Sequence, residues 1–324
     1  MDKKELRIVY MGTPVFAVES LRVLIENGYN VVGVVTMPDK PVGRHGSIFQ
    51  PSPVKLYAES KGIPVLQPEK LKDEAFITEL KTLKADLQIV VAFRMLPEIV
   101  WNMPPLGTFN LHASLLPQYR GAAPINWALI NGERETGVTT FFLTHEIDGG
   151  KIILQRRIPV APTDDAGGLH DTLMMAGAGL VLETVELILA GKVDLVSQQQ
   201  LLSRIPELHA APKIFKETCR INWHQPARKV YDFIRGLSPY PAAWTELVFP
   251  DGKNTVMKIF QAEMRQETHD RPVGVIVSDG KQTIDVAVRD GYLRLLSVQL
   301  AGKKRMDAVD FLKGAKHIKS GILL

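Results

Sequence analysis

Residues 109–124 read Phe109-Asn-Leu-His-Ala-Ser-Leu-Leu-Pro-Gln-Tyr-Arg-Gly-Ala-Ala-Pro124, a short apolar strand that runs directly into a loop rich in proline and glycine. Because side chains alternate along a strand, Asn110 and His112 face the same side and can point into one cavity. A second polar cluster, His145-Glu-Ile-Asp148-Gly-Gly, follows later in the chain. An amide, an imidazole and a carboxylate that converge can move an acyl group between two nitrogens. The sequence therefore predicts an acyl-transfer enzyme.

Length and composition indicate a soluble globular protein. The chain has 324 residues, of which 45% are hydrophobic and 23% charged, which suggests one large or two ordinary domains. We expect no apolar run of the roughly 18–20 residues that span a bilayer. The amino terminus shows no signal peptide, and the single cysteine, Cys219, fits a reducing compartment. These features predict a cytoplasmic protein without a membrane partner.

Charge is unevenly distributed along the chain. Net charge is only +4, yet residues 210–324 carry 19 Lys and Arg against 12 Asp and Glu. A basic surplus of this kind suggests that the C-terminal third faces a polyanion. A solvated basic surface explains the same charge equally well.

The first part of the chain alternates strand and helix patterns, which is typical of a mostly parallel sheet covered on both faces. Strands are predicted at 6–11, 31–36, 87–92 and 108–112, with a further pair at 138–143 and 152–160. Helices are predicted at 14–28, 53–62 and 166–190. The turn after the first strand contains Gly12 but no second glycine before Gly28. We therefore interpret Gly12 as a tight-turn residue and expect no bound dinucleotide.

The C-terminal third has a different pattern. A connector at 192–221 and a helix at 226–235 precede five short strand patterns, at 244–249, 256–264, 273–277, 283–288 and 292–300. Turn signals separate the strands, which favours a small closed β-barrel of the oligonucleotide-binding type. A jelly-roll fragment or an open sandwich fits the same pattern.

The polar cluster and its loop resemble the folate-dependent formyltransferases. That family carries Asn-x-His followed by Ser-Leu-Leu-Pro-x-x-Arg-Gly, with an Asp in a glycine-rich loop downstream. The resemblance implies formyl transfer to an amine, in which Asn110 and His112 would stabilise the oxyanion of a tetrahedral species. Asp148 would orient the imidazole and, through a water, accept the proton of the amine. A lone buried histidine is more often a packing residue, so it is the joint pattern that predicts catalysis.

The same resemblance implies 10-formyltetrahydrofolate as co-substrate, with no metal. We expect the folate to contact the segment that contains Ser114, Leu115, Leu116 and Pro117. In Ala92-Phe-Arg94-Met-Leu-Pro97 the chain departs from the family's pattern, and we expect Arg94 to contact the cofactor or its acidic tail.

Two further regions resemble the methionyl-tRNA formyltransferases within this family. One is a basic loop after the second strand, and the other is the C-terminal extension with Ala301-Gly-Lys-Lys-Arg-Met306. Flexible basic segments suit the unpaired end and the phosphates of an RNA. The residues expected to bind tRNA are Lys40, Arg44, Lys55, Lys303, Lys304 and Arg305, with Phe49 as an additional stacking residue.

The expected architecture is an α/β, Rossmann-like domain followed by a small OB-like barrel. Residues 1–191 would bind formyl-folate and catalyse, 192–221 would link, and 222–324 would bind tRNA. The predicted reaction is formylation of the methionine amino group on initiator methionyl-tRNA, by a monomer. Two alternatives remain open: a formyltransferase that acts on a small amine such as an amino-sugar nucleotide, and an RNA-binding module built on an inactive enzyme fold.

Overall fold

The chain divides into two compact units. The computed structural model describes residues 2–42, 48–203, 205–249, 252–314, 318 and 321–324. By its contacts the first unit comprises Met1–Gly121, Glu135–Pro159 and His170–Ala210, and the second comprises Ala122–Arg134, Val160–Leu169 and Ala211–Leu324. Two short segments of the predicted catalytic domain, residues 1–191, thus belong to the second unit. The domain bounds and domain roles inferred from the sequence stay predictions.

Ten strands and seven helices lie among the described residues before position 203. The strands are β1 (Arg7–Gly12), β2 (Asn30–Val35), β3 (Lys40–Val42), β4 (Ile48–Gln50), β5 (Val65–Leu66), β6 (Leu87–Val91), β7 (Thr108–His112), β8 (Arg120–Gly121), β9 (Glu135–Phe142) and β10 (Ile152–Pro159). The helices are α1 (Val15–Glu26), α2 (Pro53–Ser60), α3 (Glu74–Thr82), α4 (Glu98–Trp101), α5 (Pro124–Ile130), α6 (Ala166–Leu189) and α7 (Gln198–Leu202).

The core of the first unit is a seven-stranded sheet of order β10-β9-β7-β6-β1-β2-β5. The five strands from β7 to β5 run parallel, whereas β9 and β10 add an antiparallel edge. The predicted Rossmann-like, mostly parallel sheet is therefore confirmed. The chain moves from β1 through β2 to β5 and then crosses to β6 on the other side of β1. This reversal places a crevice at the carboxyl ends of β1 and β6, where such sheets bind ligands.

Close packing at this crevice explains Gly12. A Cβ at this position would lie 2.6 Å from Cβ of Ala17 and 3.0 Å from the carbonyl oxygen of Val91. Gly12 is therefore required for the close approach of α1 and β6 to β1, more than for a turn. Burial on both faces also explains the mostly apolar strand β6, whose five residues are all buried and include one polar residue, Gln88.

The ends of α2 follow from local chemistry. Ser52 caps the helix by accepting a hydrogen bond from the backbone N–H of Lys55 at 3.1 Å, and Pro53 occupies the first helical position. The helix ends at Ser60, and Gly62 adopts a φ of +68°. The predicted start of this helix is confirmed, and its end lies two residues earlier than expected.

Helix α6 corrects one sequence-based expectation. By length and composition its 24 residues could cross a membrane, although no such segment was expected. Leu173, Leu180, Val181 and Val185 are nevertheless buried within the protein. This burial is typical of the core helix of a globular protein, and composition alone is weak support for a membrane span.

The second unit is built on an antiparallel sheet. After β11 (Ala210–Ala211) and a short 3-10 helix (Glu217–Cys219), its elements are α8 (Ala227–Leu237), β12 (Ala243–Val248), β13 (Asn254–Arg265), β14 (Ile276–Ser278), β15 (Ile284–Val288), β16 (Gly291–Leu300), β17 (Met306–Asp307), α9 (Ala308–Gly314) and β18 (Ile322–Leu323). The main sheet has the order β14-β15-β16-β13-β12-β18, and β17 pairs with β16.

A bridge between the two edges nearly closes this sheet into a barrel. Val275 pairs with Ile322, and the N–H of Leu323 donates to the carbonyl of Gly274 at 2.9 Å. Gly274 has a φ of +84°, and a Cβ there would lie 2.3 Å from the carbonyl oxygen of Leu323. Only glycine fits this closure. The predicted small barrel is confirmed, and the jelly-roll and open-sandwich alternatives are not observed.

Helix α8 packs on the barrel core and continues through Gly236 to Leu237, two residues beyond the predicted end. A Cβ on Gly236 would lie 2.7 Å from the side chain of Ile130 and 3.1 Å from the carbonyl oxygen of Asn126. Gly236 is thus a contact glycine inside the helix and not a stop signal. The predicted end was wrong because sequence alone does not separate these two uses of glycine.

Candidate active site

Asn110 and His112 lie on β7, next to the antiparallel edge of the first sheet. Asn110 is opposite Val90 of β6 and Phe141 of β9, and His112 is opposite Thr139 of β9. The strand has the predicted bounds because its apolar residues Phe109 and Leu111 share one face of the sheet and are buried there. Asn110 is half-buried, and its amide has no hydrogen-bond partner among the residues that the structure describes. It is therefore available to a ligand.

His112 is 6% exposed, and both of its ring nitrogens face polar groups. Nε2 lies 2.8 Å from the carbonyl oxygen of Tyr119, and Nδ1 lies 4.0 Å from Oδ2 of Asp148. A carbonyl oxygen only accepts hydrogen bonds, so Nε2 carries the proton in this contact. Nδ1 is consequently the nitrogen that can gain or lose a proton.

Asp148 is held in an uncommon backbone conformation in the loop between β9 and β10. Its φ is +51°, in the left-handed region that Asp and Asn tolerate better than most residues. Oδ2 accepts a hydrogen bond from the backbone N–H of Gly121 at 3.0 Å. Within the described part of the chain Oδ1 has no hydrogen-bond partner. The carboxylate thus has one oxygen that is held and one that is available to a reacting group.

Two side chains join the loop after β7 to the loop that contains Asp148. Nε and Nη2 of Arg120 donate to Oε1 of Gln198 at 3.0 and 2.8 Å. Nε2 of Gln198 donates to the carbonyl oxygens of Asp148 and Gly150, at 2.7 and 2.8 Å. Arg120 also forms an ion pair with the exposed Glu146 at 2.5 Å. This network surrounds the catalytic carboxylate predicted from the sequence.

The segment with Ser114, Leu115, Leu116 and Pro117 forms a turn whose polar groups are largely satisfied within the protein. The hydroxyl of Ser114 donates to the carbonyl of Gln118 at 2.6 Å. The N–H of Leu116 donates to Oγ1 of Thr139 at 3.1 Å, and its carbonyl accepts from Gln155 at 2.8 Å. These bonds indicate a rigid wall beside His112.

The side chain of Leu116 belongs to the core. It is 1% exposed and packs with Phe141 and Ile152. Leu115 is less buried and contacts Gly137, where a Cβ would lie 2.6 Å from Cδ2 of the leucine. Folate contact by this segment stays a prediction, and the side chain of Leu116 faces the protein interior.

Arg94 is committed to the backbone of a neighbouring loop. Nη1 donates to the carbonyl of Glu69 at 2.7 Å, and Nη2 donates to the carbonyl of Pro68. Burial lowers the pKa of the guanidinium from its ordinary value. In this arrangement Arg94 joins the end of β6 to residues 68–69, and its predicted contact with the cofactor stays a prediction.

The tRNA-binding residues predicted in the first unit lie on and near a small hairpin. Lys40 is exposed at the start of β3, and Phe49 of β4 is 66% exposed opposite Pro41. Arg44 lies outside the described residues. Nζ of Lys55 pairs with Oδ2 of Asp39 at 2.7 Å, and hydrogen bonds from Lys55 and Gln67 lower the pKa of that carboxyl. The charge of Lys55 is thus already paired.

The predicted basic cluster of the second unit follows β16. Lys303 and Lys304 are exposed. Arg305 is held more firmly, because Nε donates to Oγ of Ser297 at 2.8 Å and the guanidinium lies 4.4 Å from the ring centroid of Phe260. The side chains of the two lysines are therefore less constrained than that of Arg305, and phosphate binding by this cluster stays a prediction.

Sequence reasoning missed two residues that contact the predicted site residues, Tyr119 and Gln198. Tyr119 acts through its backbone carbonyl, which has no side-chain signature, although its φ of +59° marks an unusual turn. Gln198 was assigned to a connector. Across the described residues no group of three or more His, Cys, Asp or Glu side chains is arranged to hold a metal ion.

Comparison with known proteins identifies the family. Residues 6–185 match the family model described as formyl transferase, and residues 213–316 match that described as formyl transferase, C-terminal domain. A protein named methionyl-tRNA formyltransferase from Parabacteroides distasonis is 70% identical over 318 residues, which are 98% of each chain. One of the same name from Bacteroides thetaiotaomicron is 65% identical over 314 residues, 97% of each chain.

Solved structures share the fold at lower identity. WlaRD, described as a sugar 3N-formyl transferase, is 18% identical with a TM-score of 0.64, over 92% of this chain and 99% of WlaRD. HypX from Aquifex aeolicus, in complex with tetrahydrofolic acid, is 19% identical with a TM-score of 0.62, over 94% of this chain and 46% of HypX. Both likenesses concern the fold alone. On its sequence identity and family matches, the chain belongs to the formyltransferase family, within the methionyl-tRNA formyltransferases.

Proposed function

We propose that this protein transfers the formyl group of 10-formyltetrahydrofolate to the free amino group of methionine carried by initiator tRNA. High identity to proteins named methionyl-tRNA formyltransferase supports the acceptor. The observation that carries the chemistry is the contact geometry of His112, with Nε2 bonded to Tyr119 and Nδ1 4.0 Å from Asp148. That geometry leaves one ring nitrogen for proton transfer, beside a carboxylate.

The residues at the site fit a formyl donor and an amine. The amide of Asn110 and Oδ1 of Asp148 have no partner among the described residues, so a hydrogen-bond donor and an acceptor are available to the reactants. When bound, the folate would supply the formyl group at a nitrogen that leaves as the new amide bond forms. The segment at residues 114–117 is the proposed wall against which it binds, with Leu115 as its less buried apolar side chain.

Each of the three side chains has a defined task in this proposal. Asn110 donates its amide N–H to the formyl oxygen, whose negative charge grows during attack. One such donor is commonly worth about 3–4 kcal/mol of the barrier. Asp148 accepts a proton from the attacking amine at Oδ1. His112, protonated at Nδ1, also stabilises the formyl oxygen, and it then donates a proton to the departing nitrogen of the folate.

RNA binding is proposed for the exposed basic residues of both units, including Lys40, Lys303 and Lys304. The chain is proposed to act as a monomer in the cytoplasm, where charged tRNA is used. The amino-sugar alternative has no comparable support, since the sugar formyltransferase WlaRD shares only the fold at 18% identity.

The acceptor is tested by incubating the purified chain with 10-formyltetrahydrofolate and one acceptor at a time. The acceptors are methionyl initiator tRNA, the same tRNA uncharged, and an amino-sugar nucleotide. We expect multiple turnovers of formyl-methionine only on the charged tRNA. Transfer to the sugar amine alone would contradict the proposed acceptor, and binding of tRNA without turnover would support the inactive RNA-binding module.

A further inference from the structure

Gln198 is the buried member of a run of three glutamines at the start of α7. Gln198 is only 2% exposed, whereas Gln199 and Gln200 are exposed. A buried amide without hydrogen-bond partners destabilises the folded state, and Gln198 makes four hydrogen bonds. The hydrogen bonds of Gln198 therefore explain why this one glutamine of the three is buried.

The three partner groups of these four hydrogen bonds fix the orientation of the amide. The carbonyl oxygens of Asp148 and Gly150 can only accept, so they must face the nitrogen of Gln198. The guanidinium of Arg120 can only donate, so it must face the oxygen. An amide is the side chain that serves both requirements at once. Apolar or anionic side chains of the same length cannot.

These bonds converge on Asp148 from two directions. Gln198 holds its backbone carbonyl, and the N–H of Gly121 holds its carboxylate at 3.0 Å. Arg120 directly precedes Gly121, so the guanidinium bound to Gln198 also anchors the segment that carries this N–H. Asp148 is a non-glycine residue with a φ of +51°, a strained conformation that is maintained only where the surrounding contacts stabilise it. The exposed Glu146 adds little, because surface ion pairs contribute weakly.

We propose that Gln198 is a positioning residue that fixes the carboxylate of Asp148 relative to His112. It touches neither reactant and acts only through Asp148 and Arg120. This inference rests on the proposed formyl transfer, because position matters only if Asp148 takes part in the reaction. A misplacement of about 1 Å can cost on the order of 10²-fold in rate.

The main variant is Gln198→Met, which keeps the length of the side chain and removes all four hydrogen bonds. We expect kcat to fall roughly 10- to 100-fold, with KM for methionyl-tRNA and for 10-formyltetrahydrofolate little changed. Gln199→Met is the matched control, because the same exchange one residue away is exposed to solvent. It should keep the kcat of the wild type.

A double-mutant cycle with Asp148→Asn separates positioning from a general loss of structure. If Gln198 acts through Asp148, then Gln198→Met should lower kcat much less in the Asp148→Asn background than in the wild type. Equal fold losses in both backgrounds would show that Gln198 acts independently of Asp148 and would overturn the proposal.

A second variant covers the case in which Gln198→Met does not fold. Gln198→Glu keeps an acceptor for Arg120 but places a carboxylate oxygen against two carbonyl oxygens, so kcat should again fall. If the wild type turns over and both Gln198 variants have the kcat of Gln199→Met, the positioning role of Gln198 is wrong and the proposed function stands. A wild type without turnover overturns the proposed function and the positioning role together.

Discussion

The ring of His112 is oriented by the carbonyl oxygen of Tyr119, which lies 2.8 Å from Nε2, and not by a hydrogen bond to Asp148. The nearest carboxylate oxygen lies 4.0 Å from Nδ1, beyond hydrogen-bond range. The sequence predicted that Asp148 orients the imidazole. In the structure a backbone carbonyl makes the hydrogen bond to the ring, and Oδ1 of Asp148 has no hydrogen-bond partner among the described residues.

This geometry predicts the tautomer of His112. In the neutral ring the proton should reside on Nε2, because its partner can only accept. Nitrogen-15 NMR of the histidine side chains would report a protonated Nε2 and an unprotonated Nδ1 for His112 at a pH where the ring is neutral. The exposed His145 is an internal comparison. A proton on Nδ1 would contradict the assigned roles.

Asp148→Asn and Asp148→Ala should separate chemistry from backbone strain. Both remove the carboxylate, so turnover should fall by about 10²-fold or more. Asparagine tolerates the left-handed conformation, whereas alanine there costs on the order of 1 kcal/mol. We therefore expect Asp148→Ala to unfold at a lower temperature than Asp148→Asn in a thermal melt. Equal melting temperatures would show that the φ of +51° carries no strain.

The exposed lysines after β16 should affect RNA binding through phosphate contacts. Lys304→Met should weaken binding of methionyl-tRNA and lower the slope of log affinity against log salt by about one. Lys281→Met, the same charge change elsewhere in the barrel, is the control. Titrations from low to moderate salt would measure both slopes. An unchanged slope for Lys304→Met would exclude it as a phosphate ligand.

The turn at Asp279 predicts an acid-sensitive contribution to the stability of the second unit. Oδ1 of Asp279 accepts backbone N–H groups from Lys281, Gln282 and Thr283 at 2.8–2.9 Å, and these bonds hold the pKa of Asp279 well below its usual range. A depressed folded-state pKa stabilises the protein above the unfolded value, near 3.9, and this stabilisation is lost as pH falls through the folded value.

Asp279→Asn should therefore be less stable than the wild type at pH 7 and pH 5, with a difference that shrinks below about pH 4. Thermal melts over this pH range would measure it, with the exposed Asp270→Asn as the control for net charge. A difference that stayed constant down to pH 2 would contradict the origin assigned to the shift.

The local pattern of apolar residues predicted the strands whose side chains are buried on one face or on both faces. The bounds of β7 follow from apolar residues in strand alternation, and β6 follows from an apolar run that Gln88 alone interrupts. The continuation of α8 through Gly236 was missed, because the close approach of Ile130 is set by residues far away in sequence. Asn110, His112 and Asp148 were predicted as catalytic because motif and chemistry agree, and the structure places His112 and Asp148 4.0 Å apart. Gln198 was missed because its partner Arg120 is 78 residues away, and three adjacent glutamines carry no periodic signal.

Formylation of methionyl initiator tRNA by the wild type and by His112→Ala, with His145→Ala as the control, tests the central claim most directly. The wild type and His145→Ala should make formyl-methionine over many turnovers. His112→Ala should remain folded and have a turnover rate lower by about 10²-fold or more, because it lacks the imidazole nitrogen that exchanges a proton. Full activity of His112→Ala, or no turnover by the wild type, would contradict the account.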